Sequence, residues 1–192
     1  MSVATNPAAT EFESRVDTTL QTCCVLARSL IGAHQAAMSL IVARDWAHAR
    51  KYFSLSEKYA AYRDFTTPGR GIGLHAVVVE ENTALRLTQD EVERHPAWRG
   101  FAETAATHPP LRGLLAVPIV GEDGLNYGLL QVSDKVDGSN FDEDDERRLQ
   151  GLASLGALAL DALARVRRLR SGEDVPILEH ESRAEFVHIE AV

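Results

Sequence analysis

Two apolar runs, Gly113 to Val120 and Gly128 to Ser133, flank a connection that contains Gly121-Glu122-Asp123-Gly124. Runs of this length bounded by turn residues read as strands, and a short polar glycine-bearing link between them reads as a β-hairpin. A hairpin commits the chain to antiparallel pairing, and a sheet needs a second layer against which to bury its apolar face. The two ends of the sequence supply that layer, because apolar spacing there changes from continuous runs to steps of three and four.

Near the N-terminus, Val16, Leu20, Cys23, Ala27 and Leu30 fall on one stripe of a helix that Gly32 is placed to end. Residues 1–10 are small and polar and read as a disordered lead. Near the C-terminus, Asp142 offers an N-cap with Asp145 three residues on, and Leu152, Leu155, Ala159, Ala162, Val166 and Leu169 then repeat over more than two heptads. Both stripes read as seams that want a partner. The residues from Ser171 to Val192 read as a tail.

Between the helices, His34 to Ala43 carries Met38, Leu40 and Val42 on one alternating face, and Tyr52 to Glu57 is a shorter partner strand. Thr67 to Gly73 is too rich in proline and glycine for regular structure. Leu74 to Glu81 suits a short helix and Ala84 to Thr88 a strand. Asp90 to Thr107 reads as a second short helix stopping at His108-Pro109-Pro110. The order predicts one antiparallel α+β domain within 11–170.

Composition narrows the function. The chain has 192 residues, 45% of them apolar, and a net charge of −8. That charge argues against a nucleic-acid surface, which needs clustered cations. Arg165 to Arg170 is a local exception that reads as a solvated helix end. Cys23 and Cys24 are adjacent, so they form neither a disulfide framework nor a metal-ligand spacing. No stretch approaches the ~18 uninterrupted apolar residues of a membrane span, and no secretory signal opens the chain. A cytoplasmic location is expected.

Read together, Pro110 to Ile119, Gly128 to Lys135, Phe141 and Asp144-Asp145-Glu146 resemble the second half of a GAF domain. Upstream, His34 to Ala37, Ser54 to Ala61 and Leu87 to Trp98 resemble the subgroup found in bacterial sensor histidine kinases, so the likeness spans about 15–168. It implies a PAS-related fold: a central antiparallel sheet, terminal helices on one face, and short helices and loops over a small-molecule pocket on the other. It also implies a homodimer through helices near 11–31 and 142–170, with a kinase or other output domain as partner. No room remains after Leu169 for a kinase dimerisation helix or an ATP-binding domain. The chain therefore reads as a stand-alone GAF protein or a piece of a larger sensor.

In cyclic-nucleotide-binding members a spaced Asn-Lys-Phe-Asp-Glu set marks the domain. Asp134, Lys135, Phe141, Asp145 and Glu146 occupy those places here, with Asp134 departing from Asn, and Lys135 with Asp145 reads as a structural ion pair. Candidate ligand contacts are His75, Thr88, His95, Trp98, His108 and Arg112. Each has an ordinary alternative: a satisfied histidine, helix-end hydrogen bonding for His95 and His108, or core packing for Trp98 with Phe101. Arg112 could pair with a carboxylate or face solvent.

Four functions compete: a non-catalytic sensory module binding a small molecule, a haem-based gas sensor using His75, an enzyme, and a structural dimerisation spacer. The enzyme would resemble the branch that reduces free methionine sulfoxide with pocket cysteines, but both thiols here are assigned to the first helix. No catalytic set and no metal site is read, the cofactor is open, and neither membrane nor nucleic acid is expected as a partner.

Overall fold

The computed structural model describes residues 7–41, 44–63, 71–100, 108–171 and 186–187. Helix α1 spans Pro7–Ile31, starting four residues before Glu11. Proline suits a first helical position because its missing N–H has no partner there in any case. Phe12, Val16, Leu20, Cys23, Cys24, Ala27 and Ile31 are all buried, so most of the predicted α1 stripe is internal core and not a partner-facing seam. Leu30 is exposed, and Ile31 takes the inward place. Gly32 follows at φ +69°, where a side chain would be strained.

Strand β1 is Ala33–Leu40 and β2 is Arg50–Leu55. Val42 and Ala43 lie outside the described residues. Helix α2 (Leu74–Glu81), β3 (Leu85–Leu87) and α3 (Gln89–Arg94) follow. The hairpin strands are β4 (Leu114–Val120) and β5 (Asn126–Lys135), with Val117 opposite Leu130. Helix α4 runs Glu143–Ser171. Its first turn is closed reciprocally: Asp145 N donates to Asp142 Oδ1 at 2.9 Å and Asp142 N to Asp145 Oδ2 at 3.1 Å.

Helix α3 stops at Arg94, well short of Thr107. Pro96 drives His95 into extended backbone, so Trp98 is not helical, and Phe101 lies outside the described residues. The presumed tail contains β6, Phe186–Val187, which pairs in parallel with β2. The sheet order is β3-β4-β5-β1-β2-β6, antiparallel throughout except at that last pair. Gly128 sits where β5 crosses β1, and a β-carbon there would overlap the Ser39 carbonyl.

Alternation sends the side chains to two cores. Ala36, Met38 and Leu40, with Leu115, Val117, Ile119, Leu130 and Val132, face α1 and α4. Ile41, Leu114, Ala116 and Leu129 face α2 and α3. Polar contacts pin α1 to β2 on the first side. Tyr52 Oη donates to Asp17 Oδ1 at 2.6 Å, Arg50 pairs with both Asp17 and Glu13, and Arg28 Nε donates to Ser54 Oγ at 2.8 Å.

Of the predicted α4 seam, Leu152 is core while Leu155, Val166 and Leu169 are exposed, together with Leu158. One helix among the described residues, Glu143–Arg170 of α4, is long and apolar enough by length and composition to cross a membrane, with a mean hydropathy of 1.3 over an 18-residue stretch. Counting uninterrupted apolar residues missed it because isolated polar residues such as Asp161 punctuate the run. Its inner face packs on α1 and β4.

Candidate functional site

On the sheet face away from α1 and α4, polar residues interrupt the apolar alternation. Gln35, Ala37 and Ser39 of β1, Lys51, Phe53 and Leu55 of β2, and Gln131 and Ser133 of β5 line one pocket, roofed by His75 of α2 and by His108, Pro109 and Leu111. Its enclosed volume is about 30 Å³, space for a water molecule or two. Gln35 Nε2 donates to the Pro110 carbonyl at 2.7 Å and ties the 108–111 segment down over the strands.

Burial tunes every titratable group in this pocket. It pushes His75 down to about 4, helped by the nearby Lys51 ammonium and opposed by the Gln131 amide. It pushes His108 down to about 4 as well, against the help of the Pro109 carbonyl, to which Nδ1 donates at 2.6 Å. Lys51 falls to about 8 through burial. At neutral pH the pocket therefore presents two uncharged imidazoles and one ammonium, with no carboxylate among its lining residues. Gln131 Oε1 is a buried acceptor that no described donor reaches at hydrogen-bond distance, although His75 lies near enough to feel the amide.

The structure thus brings together His75 and His108 of the six predicted contacts. Thr88 is spent as the N-cap of α3, in a reciprocal capping box with Glu91. His95 is the C-cap, and its Nδ1 accepts from Ala97 N at 3.1 Å. Trp98 packs against the α2-side core. Arg112 lines a neighbouring cleft and not this pocket. Lys135 Nζ donates to Asp145 Oδ2 at 2.7 Å, which raises the lysine pKa and ties the end of β5 to the start of α4. Lys51, Gln35, Gln131 and Ser39 were missed. The signal for three of them is a polar residue at alternate positions of an apolar strand, and Lys51 stood just outside the strand as predicted.

Both cysteines lie on the opposite side of the sheet. Cys24 donates to the Tyr52 carbonyl at 3.6 Å, and burial holds both thiols above the ordinary range. Among the described residues no group of three His, Cys, Asp or Glu could hold a metal ion.

A sequence profile described as the GAF domain matches residues 13–161. This chain belongs to the GAF family. Solved structures with the same fold include the GAF domain of a phosphoenolpyruvate-protein phosphotransferase from Coxiella burnetii, with 19% identity, 84% of this chain and 92% of that one covered, and a TM-score of 0.60. The type II free methionine-R-sulfoxide reductase of Thermoplasma acidophilum matches at 17% identity, covering 79% and 96%, with a TM-score of 0.58. The second GAF domain of DevS from Mycobacterium smegmatis matches at 16% identity, covering 80% and 99%, with a TM-score of 0.57. At these identities the GAF fold is what is shared, and chemistry has to be argued from the site.

Proposed function

We propose that this GAF domain is a non-catalytic sensory module that binds a small molecule over the polar face of its sheet and passes the binding event to a dimer of its terminal helices. The observation that carries the reading is the placement of Lys51, His75, His108 and Gln131 in one partly enclosed pocket. Burying such groups costs stability that apolar residues would not, and that cost is ordinary at a binding site and unexplained elsewhere in a core. A ligand supplying a donor to Gln131 Oε1 offsets part of it.

The exposed stripe Leu155, Leu158, Val166 and Leu169 on α4, with Leu26 and Leu30 on α1, supports a second copy of the chain as the helical partner. The resemblance of the upstream segments to kinase-associated GAF domains supports an output partner of the two-component class and a cytoplasmic setting. Placement of both thiols across the sheet from the pocket weighs against reduction of free methionine sulfoxide, the chemistry named for the Thermoplasma neighbour.

The test is a thermal-shift screen of the full chain against amino acids, nucleotides and organic acids. A ligand at a hundred times its Kd stabilises by about 2.7 kcal/mol and raises Tm by roughly 5–10 °C. That shift is expected to vanish in His75→Phe. A ligand whose shift survives in His75→Phe and in Lys51→Met overturns the pocket assignment. Sedimentation of Leu155→Asp/Leu158→Asp as a monomer beside a dimeric parent checks the helical partner.

A further inference from the structure

A second cavity of about 250 Å³ lies at the end of β5, lined among others by Lys58, Leu87, Arg112, Lys135, Asn140 and Phe141. It shares no lining residue with the sheet pocket. The lining divides between Leu111 and Arg112, ahead of β4, and between Ser133 and Asp134, where the left-handed backbone of Asp134 interrupts the alternation of β5.

The charges in the cleft are unequally satisfied. Asp134, at φ +60°, receives Lys58 Nζ at 2.6 Å and Tyr59 Oη at 2.6 Å. Those two bonds outweigh the effect of burial and hold its carboxyl below the ordinary range. Lys135 is matched by Asp145. Arg112 is exposed, and among the described residues its guanidinium has neither an ion pair nor a hydrogen bond. Its backbone is nonetheless fixed: its N–H donates to Ser133 Oγ at 3.0 Å, and its carbonyl accepts from Asp134 N at 2.9 Å. Lys58 is thus paired with Asp134 and Lys135 with Asp145, with Asp137 and Asp142 also acting on Lys135, and the Arg112 guanidinium is the cleft cation left without a paired carboxylate among the described residues. The edges of Phe141 and Leu87 form an apolar wall nearby.

We propose that this cleft is a second ligand site, separate from the sheet pocket, which takes a small organic carboxylate with its carboxyl on Arg112 and its apolar stem against Phe141 and Leu87. A guanidinium presents paired donors that match the two oxygens of a carboxylate. One guanidinium matches a monoanion, whereas a phosphate dianion would bring an extra negative charge close to Asp134, Asp137 and Asp142. The inference does not depend on the ligand or the function assigned to the sheet pocket.

The test is a ¹⁵N-resolved NMR titration of the full chain with butyrate, the neutral isostere butyramide, and inorganic phosphate at matched ionic strength. Butyrate is expected to shift the amides of Arg112, Gly113, Ser139 and Asn140 along a saturating curve, with a Kd on the order of 1 mM. Arg112→Gln weakens that binding roughly tenfold or more, and Arg112→Lys by less. Both substitutions are at the surface, and retained amide dispersion reports that the variants are folded. Non-saturating shifts, equal binding of butyramide, tighter binding of phosphate, or butyrate shifts centred on Ser39, His75 and Gln131 each overturn the assignment. So does unchanged affinity in folded Arg112→Gln.

Discussion

The two faces of one sheet have been given different work. Facing α1 and α4, the strands present Met38, Leu40, Leu115, Val117, Leu130 and Val132, a continuous apolar layer with its ion pairs set toward one end at Arg50, Asp17 and Glu13. Facing α2, the same strands present Gln35, Ser39, Lys51 and Gln131 among apolar neighbours. The difference teaches where stability is generated and where it is surrendered. The first face is built as a core, and the second carries polar groups whose burial costs more than that of apolar ones.

The comparison can be broken first where the strands themselves meet. Gly128→Ala places a methyl group into the Ser39 carbonyl, and neither backbone can move without disturbing both faces. A loss of about 4 kcal/mol or more is expected in urea denaturation, and a loss below about 1 kcal/mol would mean that β1 and β5 are more loosely paired than described. On the helix side, Leu160→Ala, at a fully buried position, is expected to cost about 3 kcal/mol.

The pocket side should answer to acid instead. His75 and His108 are held near 4 when folded against an ordinary 6.5. Between those values the unfolded chain binds more protons, so stability falls as pH drops from about 6.5 to about 4, by on the order of 2 kcal/mol per ring. Replacing both rings by Phe should flatten that slope in denaturation curves taken across the window. Lys51 is held near 8 against 10.5, and by the same linkage stability rises with pH between those values. The smallest effect is expected from Lys51→Met, which should abolish the rise in stability between about pH 8 and pH 10.5. A rise that persists in the variant would assign it to other groups.

Local rules in the sequence were enough for much of the architecture. The hairpin followed from two apolar runs and their glycine-bearing link, and the start of α4 from Asp142 and Asp145. The resemblance joined these into a GAF domain. The end of α3 was misread because the polar stretch after Arg94 has helical composition, while Pro96 acts on His95 alone. The α1 stripe was assigned to an outside partner because periodicity reports that a face is buried and not what buries it. At the site, His75 and His108 were visible as titratable residues beside turns. Gln35 and Gln131 were not, because a polar residue in a strand gains meaning only when register places it beside another strand's polar residue. Thr88, His95 and Trp98 attracted attention for side-chain chemistry that the fold uses in capping and packing.

The pairing of β6 with β2 has a consequence for how the chain is made. On the rim away from β1, Lys51 and Tyr52 meet their partners at Phe186 and Val187, about 135 positions later in the sequence. While the chain emerges from the ribosome, the outer rim of β2 lacks this strand until Phe186 and Val187 have been made. A bare strand rim is a template for pairing with other chains. Phe186 and Val187 thus act as a closing stitch, and a product that stops before them would be the form most prone to clump.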